Sequence, residues 1–488
     1  MNPDNNPIRL RFAPSPTGYL HIGGLRTALF SYLLAKVWGG KFILRIEDTD
    51  QKRQVDGAME KLIAVLKTMG IEFDEGPHCG GEFGPYIQTQ RLDIYNKYAD
   101  ELLAQGKAYH CFCSEERLTE MRSAQEANKQ APRYDRHCRD LSEAEVASKI
   151  AAGEKFVIRQ KMPLNGEVVV HDELRGDVKF AAADLDDHVL IKSNGIPTYQ
   201  FANVVDDHLM GISHVTRAVE WLPSYPKNIL LYQAFGWTPP KFIHLPLILN
   251  KTGGKLSKRQ GDVFVEDYRS KGYIKEAIIN FCALLGWHSK DDQEIYTLDE
   301  LKNKFELSGL GSSPAVFDLE KLDYLNGYYI RQKGASDLVA LCRPYFEKAG
   351  LLTGEISQEY LEGVIMLVRD RLKRLDESPA LAKLFFVEPE YESELLIWKK
   401  SNAEETKANL QALSLELEKI EEEKWTKDDL EARLVSWLKE SGRGIGDYLW
   451  PLRVALSGEK NSPGPFEIAA VLGKIKTLAR VIVAISKF

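Results

Sequence analysis

Cysteine is scarce in this chain: Cys79, Cys111, Cys113, Cys138, Cys282 and Cys342 are all there are among 488 residues. That is too sparse for a disulfide scaffold and points to a reducing compartment, the cytoplasm. Long apolar runs are missing as well. None reaches the roughly 18 residues that would suggest a membrane span. The stretch 471–488 comes nearest, but Lys474, Lys476, Arg480 and Lys487 interrupt it, and its spacing predicts a helix with one buried face. The opening Met1-Asn2-Pro3-Asp4-Asn5-Asn6-Pro7 has neither the basic nor the apolar region of a secretory signal, so no membrane partner is expected. An excess of positive charge is also absent. The net charge of −7 does not exclude RNA, because phosphate binding needs a local basic face and not a basic average. There is no internal repeat. What remains is an ordinary soluble composition, 44% apolar and 28% charged, on a chain too long for a single core.

The first seventy residues predict strand, helix and strand. Ile8, Leu10 and Phe12 alternate with Arg9 and Arg11, and Pro14-Ser15-Pro16-Thr17-Gly18 then breaks regular structure. Leu25, Ala28, Leu29, Tyr32, Leu33 and Val37 recur at helical spacing until Gly39-Gly40. Phe42-Ile43-Leu44-Arg45-Ile46 is a short apolar strand running into Glu47-Asp48-Thr49-Asp50, and a second helix follows over about 55–69. This is the rhythm of a doubly wound parallel α/β sheet of Rossmann type, in which ligands sit beyond the carboxyl ends of the strands. Both the proline-rich loop and Glu47 fall at such ends. Residues 94–194 differ in character, with a helical opening, a polar stretch over 115–130 and short strand-like pieces such as Phe156-Val157-Ile158-Arg159. They read as an α+β insertion between 1–93 and 195–250. Beyond Asp267 the chain turns predominantly helical, with helical spacing over 364–375 and 403–422.

Two segments carry chemistry. His21-Ile22-Gly23-Gly24 opens a helix, where unpaired N–H groups and a partial positive charge favour phosphate. The glycines admit close backbone approach, and an imidazole can donate to a phosphoryl oxygen as charge develops. Lys255 and Lys258, three apart after Gly253-Gly254, form a lysine-rich loop able to close over a triphosphate. Arg11 and Arg217 are forks suited to carboxylates, and Glu47 is an anion suited to an ammonium group.

Arg11 to Leu29 together with Lys255-Leu256-Ser257-Lys258-Arg259 resemble the two signatures of the class I aminoacyl-tRNA synthetases, and specifically the bacterial glutamyl-tRNA synthetases. The resemblance continues through 42–50, Asp74-Glu75-Gly76-Pro77, Gly84-Pro85-Tyr86, Pro197-Thr198-Tyr199, Val204-Val205-Asp206-Asp207-His208 and 451–458. It implies ATP-dependent activation of glutamate, with Mg2+ on the phosphates, followed by transfer to the 3′ end of tRNA(Glu). It also implies a monomer whose activation step requires bound tRNA. His21, Lys255 and Lys258 would be catalytic. ATP would meet Ser15, Pro16, Thr17, Gly18, His21, Gly23, Gly24, Glu220, Trp221, Lys255, Leu256, Ser257 and Lys258. Glutamate would meet Arg11, Ala13, Ser15, Glu47, Tyr199, Asn203 and Arg217. Many relatives read Arg-Gly-Glu-Glu-His where this chain reads Arg217-Ala218-Val219-Glu220-Trp221, a subgroup pattern, and the first signature ends in Gly24 where a second histidine is common elsewhere.

By the same resemblance 94–194 would bind the acceptor stem, 251–335 would contact the stem, and 336–488 would be an anticodon-binding region. Arg53, Arg369 and Arg371 would touch tRNA. Cys111, Cys113 and Cys138 are thiols close enough in sequence for a structural Zn2+, with Tyr134, His137 or Asp140 as the fourth ligand. Tyr134, four residues before Cys138, is the first choice, and some relatives bind zinc here while others do not. Rival readings are a glutamyl-queuosine-type tRNA modification enzyme, disfavoured by the helical stretch after Arg331, and a small-molecule nucleotidyltransferase, which would need neither insertion nor tail. A glutamine–tRNA ligase would carry β-barrels there instead.

Overall fold

The structure is a computed structural model that describes residues 7–50, 53, 55–256 and 263–488. The chain divides into two compact units, Met1–Arg269 with Lys275–Leu319, and Ser270–Ile274 with Glu320–Phe488.

The first unit is built on a six-stranded sheet. Its strands lie in the order Lys41–Leu44, Arg9–Phe12, His214–Ala218, Lys241–Leu245, Glu167–Asp172, Gly176–Ala181. Neighbours run parallel through Glu167–Asp172, and only the last hairpin is antiparallel. The sheet is therefore mixed at one edge. That hairpin comes from the segment read as an insertion and pairs along the main sheet, which the sequence did not disclose.

Helix Ile22–Val37 crosses between the first two strands. Gly40 permits the tight return, since a Cβ there would fall 2.4 Å from the Ile8 carbonyl oxygen. The alternation of Ile8 to Phe12 does not separate core from solvent as its charges suggest: all four residues of Arg9–Phe12 are buried. A parallel strand flanked on both sides is covered on both faces, so its arginines must find partners inside. Arg9 forms a fork to Glu75 with bonds of 2.8 and 2.9 Å, and Arg11 pairs with Asp207 at 3.1 Å.

Residues 108–191 also form a small antiparallel sheet, Ala108–Cys111, Val157–Gln160 and Val189–Ile191. Ile158 and Leu190 from it share one core with Phe201 and Phe242. The polar stretch after Ser114 forms helix Glu115–Ala127 without one buried residue, started by the Ser114 hydroxyl accepting from the Arg117 N–H.

The second unit is helical: Ala335–Lys348, Gln358–Val368, Ala403–Glu418, Lys427–Glu440, Ile445–Ser457 and Pro465–Ser486 are its longer elements after Leu319–Arg331. Helical spacing over 364–375 overshoots. The helix stops at Val368, and Arg369–Arg371 is a short 3-10 turn. The final element is two helices meeting at Gly473, whose φ of 81° breaks the hydrogen-bond ladder. Arg480 does not face water there, as a charge in an apolar run would suggest. It is 3% exposed and donates to the carbonyls of Leu384, Leu456 and Val387. Among the described residues no helix is long and apolar enough to cross a membrane.

Candidate active site

The carboxyl ends of three parallel strands converge on a cavity of about 630 Å³. Arg11 and Phe12 come from the first strand, Arg217 and Ala218 from His214–Ala218, and Pro246 and Leu247 follow Lys241–Leu245. Ala13 and Ser15 supply one rim and His21, Gly23 and Gly24 another. The proline-rich loop is tied in place by its carbonyls. Pro14 accepts from the Glu47 N–H at 3.0 Å and Pro16 from the Val55 N–H at 3.2 Å.

His21 is the N-cap of helix Ile22–Val37, and its Nδ1 accepts from the Gly23 N–H at 3.0 Å. In the neutral ring the proton therefore sits on Nε2. The Ile22 N–H is also taken, by the Val263 carbonyl at 2.8 Å. The helix start thus offers fewer unpaired N–H groups than expected, and the imidazole has become part of the cap.

A buried polar lattice lies beneath the cavity. Arg45, wholly buried, reaches Asp207 at 2.7 Å and Glu47 at 3.1 Å. Asp207 is shared with Arg11; burial opposes its charge, but Arg11 and Arg45 together hold the carboxyl below its ordinary range. Asp206 is clasped by Arg91 at 2.8 Å, Tyr95 at 2.9 Å and Gln88 at 3.0 Å. Glu47 receives Asn203 Nδ2 at 2.9 Å on the oxygen that Arg45 also binds. Burial raises its pKa, and the neighbouring Arg45 and Arg11 oppose that.

Five groups in this lattice have buried atoms without a hydrogen-bond partner among the described residues: Arg45 at Nε and Gln88 at Oε1, and three that bear on the cavity. Arg217 is 6% exposed, yet neither Nη1 nor Nη2 has a hydrogen-bond partner among the described residues. Glu47 Oε2 and Asn203 Oδ1 are likewise buried without one. A guanidinium fork and two oxygen acceptors, all desolvated and unmatched, cost free energy that a bound ion of complementary charge recovers. Burial pushes the pKa of Arg217 below its ordinary value, as desolvation does to any buried cation. Tyr199 forms the adjoining wall, its ring 4.8 Å from that of Trp221. Its phenol is pushed up to about 12 by burial and by Glu47, so it stays a donor. Lys255 and Glu220 both line the cavity and form an ion pair with each other. Both are about half exposed, so the pair is weak and readily exchanged.

The same family pattern is visible by comparison. Residues 7–324 match the model of class I tRNA synthetases (E and Q), catalytic domain, and residues 337–485 match an anticodon binding domain. The chain belongs to the class I tRNA synthetases of the E and Q type. It is 46% identical over 484 residues to a glutamate–tRNA ligase of Clostridium botulinum, covering 99% of each chain, and 45% identical to that of Clostridium kluyveri, covering 98% of each. Among solved structures it resembles a glutamate tRNA ligase of Elizabethkingia meningosepticum crystallised with its amino acid (TM-score 0.91, 36% identity, 98% of this chain and 99% of that one). A glutamate-tRNA synthetase of Elizabethkingia anophelis is similar (TM-score 0.90, 35% identity, 98% and 100%).

Against this class I pattern, the cavity gathers Arg11, Ala13, Ser15, His21, Gly23, Gly24, Tyr199, Arg217, Glu220, Trp221, Lys255 and Leu256. Glu47 and Asn203 sit in the lattice beneath. Pro16, Thr17 and Gly18 do not line the cavity. Ser257 and Lys258 lie outside the described residues, as does Arg259. Arg53 is exposed and paired with Asp50 at 2.6 Å. Arg369 is near the surface and Arg371 is exposed, on their turn in the second unit. Sequence reasoning missed Arg26, which is 2% exposed and donates to the Pro246 carbonyl at 2.6 Å and the Leu285 carbonyl at 3.2 Å. It also missed Arg45, Asp206 and Asp207 as a unit. A charge inside the apolar run Phe42 to Ile46 was the available signal, with an acidic pair elsewhere to receive it.

A second cluster lies in the small antiparallel sheet. The sulfurs of Cys111, Cys113 and Cys138 are all within 4.8 Å of one another. The Tyr134 hydroxyl sits 3.2 Å from Cys111 Sγ and 3.5 Å from Cys113 Sγ. Arg117 Nη1 lies 3.4 Å from Cys113 Sγ, and the Arg159 guanidinium stacks 3.9 Å over the Tyr134 ring. His137 and Asp140 are not among the groups that converge there.

Proposed function

We propose that this chain is a glutamate–tRNA ligase, activating L-glutamate with MgATP and transferring it to the 3′-terminal adenosine of tRNA(Glu). The observation that carries the reading is the set of unmatched buried groups. Arg217 offers an unpartnered fork to a carboxylate, while Glu47 Oε2 and Asn203 Oδ1 offer two acceptors to an ammonium group. The fork suits the side-chain carboxylate. The α-carboxylate loses its charge on activation, so a guanidinium locked onto it would oppose the reaction, whereas the side-chain charge persists. Tyr199 adds a hydroxyl donor to that carboxylate, with Ala13 and Ser15 closing the rim.

In the first step an α-carboxylate oxygen attacks the α-phosphorus. The new O–P bond forms as the bond to the β-phosphate oxygen breaks, and pyrophosphate leaves with the electron pair. The substrate supplies the nucleophile, so the protein works by positioning and by charge stabilisation. His21 Nε2–H meets the phosphate oxygens, Gly23 and Gly24 admit them, and Lys255 moves from Glu220 to the departing pyrophosphate; Lys258 takes the same task in the lysine loop. Trp221 and Leu256 bound the nucleotide. In the second step a ribose hydroxyl of the tRNA attacks the acyl carbon and AMP leaves. The helical second unit, through Arg369 and Arg371, reads the anticodon, and Arg53 supports the bound tRNA. The protein acts as a monomer in the cytosol, a reading that a light-scattering mass of two chains removes.

The deciding experiment is ATP–pyrophosphate exchange with glutamate, with and without tRNA. Exchange only with tRNA is the expected result. Exchange equally fast without tRNA favours the modification-enzyme or nucleotidyltransferase reading, and none under either condition excludes the ligase.

The thiol cluster fits one structural Zn2+. Sulfurs bound at about 2.3 Å in a tetrahedron lie just under 4 Å apart, which agrees with the 3.6 Å between Cys113 and Cys138. Tyr134 supplies the fourth position. Such an ion would clamp the segment 134–138 onto strand Ala108–Cys111. Protein purified without chelator is expected to carry about one zinc, and the variant Cys138→Ser little. A wild-type content well under one equivalent removes the metal.

A further inference from the structure

We propose that His244, held by Asp172, is a positioning residue for Arg217: it accepts the guanidinium Nε–H and so leaves both Nη groups to the substrate carboxylate. The proposal rests on the reading of Arg217 as the carboxylate fork.

The three residues form a chain of hydrogen bonds in the interior. Arg217 Nε donates to His244 Nε2 at 3.2 Å, and His244 Nδ1 donates to Asp172 Oδ2 at 2.7 Å. All three are buried, His244 and Asp172 completely. Asp172 cannot swing away. Its Oδ2 also accepts the backbone N–H of His244 at 3.0 Å, and its Oδ1 accepts that of Leu174 at 3.1 Å. The imidazole is further confined by the rings of Tyr225 at 5.1 Å and Phe242 at 6.1 Å. A carboxylate fixed by two backbone donors compels the ring to put its proton on Nδ1, which makes Nε2 an acceptor facing the arginine.

The intervening ring has a physical purpose. A carboxylate in direct contact with Arg217 would take the guanidinium bidentately, as Asp207 takes Arg11 through Nε and Nη2. Such a pair would leave little for a ligand. An uncharged acceptor at Nε fixes the plane of the fork while spending none of its terminal donors. The Asp172 charge then acts only at a distance, through the ring. Phe242 packs beneath, 5.2 Å from the guanidinium carbon, so the fork has a floor on one side and the cavity on the other. Asp172 lies on the hairpin from the 94–194 segment, which thereby gains a role in amino-acid selection that its place in sequence does not suggest.

The test is steady-state aminoacylation by the full chain, comparing His244→Gln, His244→Asn and His244→Leu with Arg217→Gln. Glutamine places an oxygen near the site of Nε2 and can accept from Arg217, whereas asparagine reaches only toward Asp172 and leucine reaches neither. The expected result is a glutamate KM raised about ten- to a hundredfold in the Leu and Asn variants, with the KM for ATP unmoved. His244→Gln should recover most of that loss. Should Leu unfold the protein, the Asn and Gln variants still decide, because both keep a polar side chain in the site. Equal glutamate KM values in the Gln and Asn variants overturn the proposal. If Arg217→Gln raises KM and no His244 variant does, only the positioning role fails. If Arg217→Gln itself leaves KM unchanged, the carboxylate reading of Arg217 fails first.

Discussion

Arg217→Gln is expected to raise the KM for glutamate by roughly a hundred- to a thousandfold, the cost of deleting one partner of a buried charge pair. Two features set the size. The guanidinium is nearly inaccessible and its Nη donors have no partner among the described residues, so a carboxylate bound there meets little competition from water. The fork also lies between the Phe242 ring and the cavity, so it cannot reorient to follow a displaced ligand. Arg217→Lys keeps the charge but has no planar fork and no Nε–H for His244, and should recover only part of the loss. The KM for ATP should stay within a few-fold, because Arg217 is on the amino-acid side. A glutamate KM changed less than threefold in Arg217→Gln would show that the carboxylate is bound elsewhere.

The second large effect is on turnover. His21→Asn should lower kcat by about a hundred- to a thousandfold, the range for removing one donor from a site of developing negative charge, while the glutamate KM moves much less. Asparagine is the informative choice because the wild-type ring has two tasks on two atoms. Nδ1 caps the helix by accepting from Gly23, and Nε2 carries the proton. The Asn oxygen falls near the place of Nδ1 and keeps the cap, so the melting temperature should hold. His21→Ala loses the cap as well, worth about 1 kcal/mol, and should be both slow and less stable. A near-wild-type kcat in His21→Asn would confine His21 to capping.

These two residues show how unevenly the site was legible. His21 stands in a contiguous motif next to its glycines, and local rules for helix starts were enough to find it. What those rules did not show is that the ring accepts from its own helix and so arrives with a defined tautomer. Glu47 was legible as the anion at a strand end, and its partner Asn203 was reached only by family resemblance. Asp172 and His244 were invisible, because 72 residues separate them and neither belongs to a motif. Pairing of Glu167–Asp172 beside Lys241–Leu245 in the sheet is what brings them together.

The fold divides along the same line. Apolar periodicity and the Gly39-Gly40 stop determined the first strand–helix–strand unit, since helix and strand periods are local properties of the chain. The helical second half was legible for the same reason, though the stops at Val368 and Gly473 were less so. Amino-acid sequence alone determined the class of sheet and named the histidine–glycine turn, the lysine pair and the charged residues proposed for the site. Which of those charges remain available was decided by tertiary structure. Arg11 and Arg217 look alike as forks at strand ends, yet Asp207 from a distant helix neutralises one, and His244 from a neighbouring strand merely steadies the other. A buried charge is governed by whatever the fold places within about 4 Å of it, and that distance is not written along the chain.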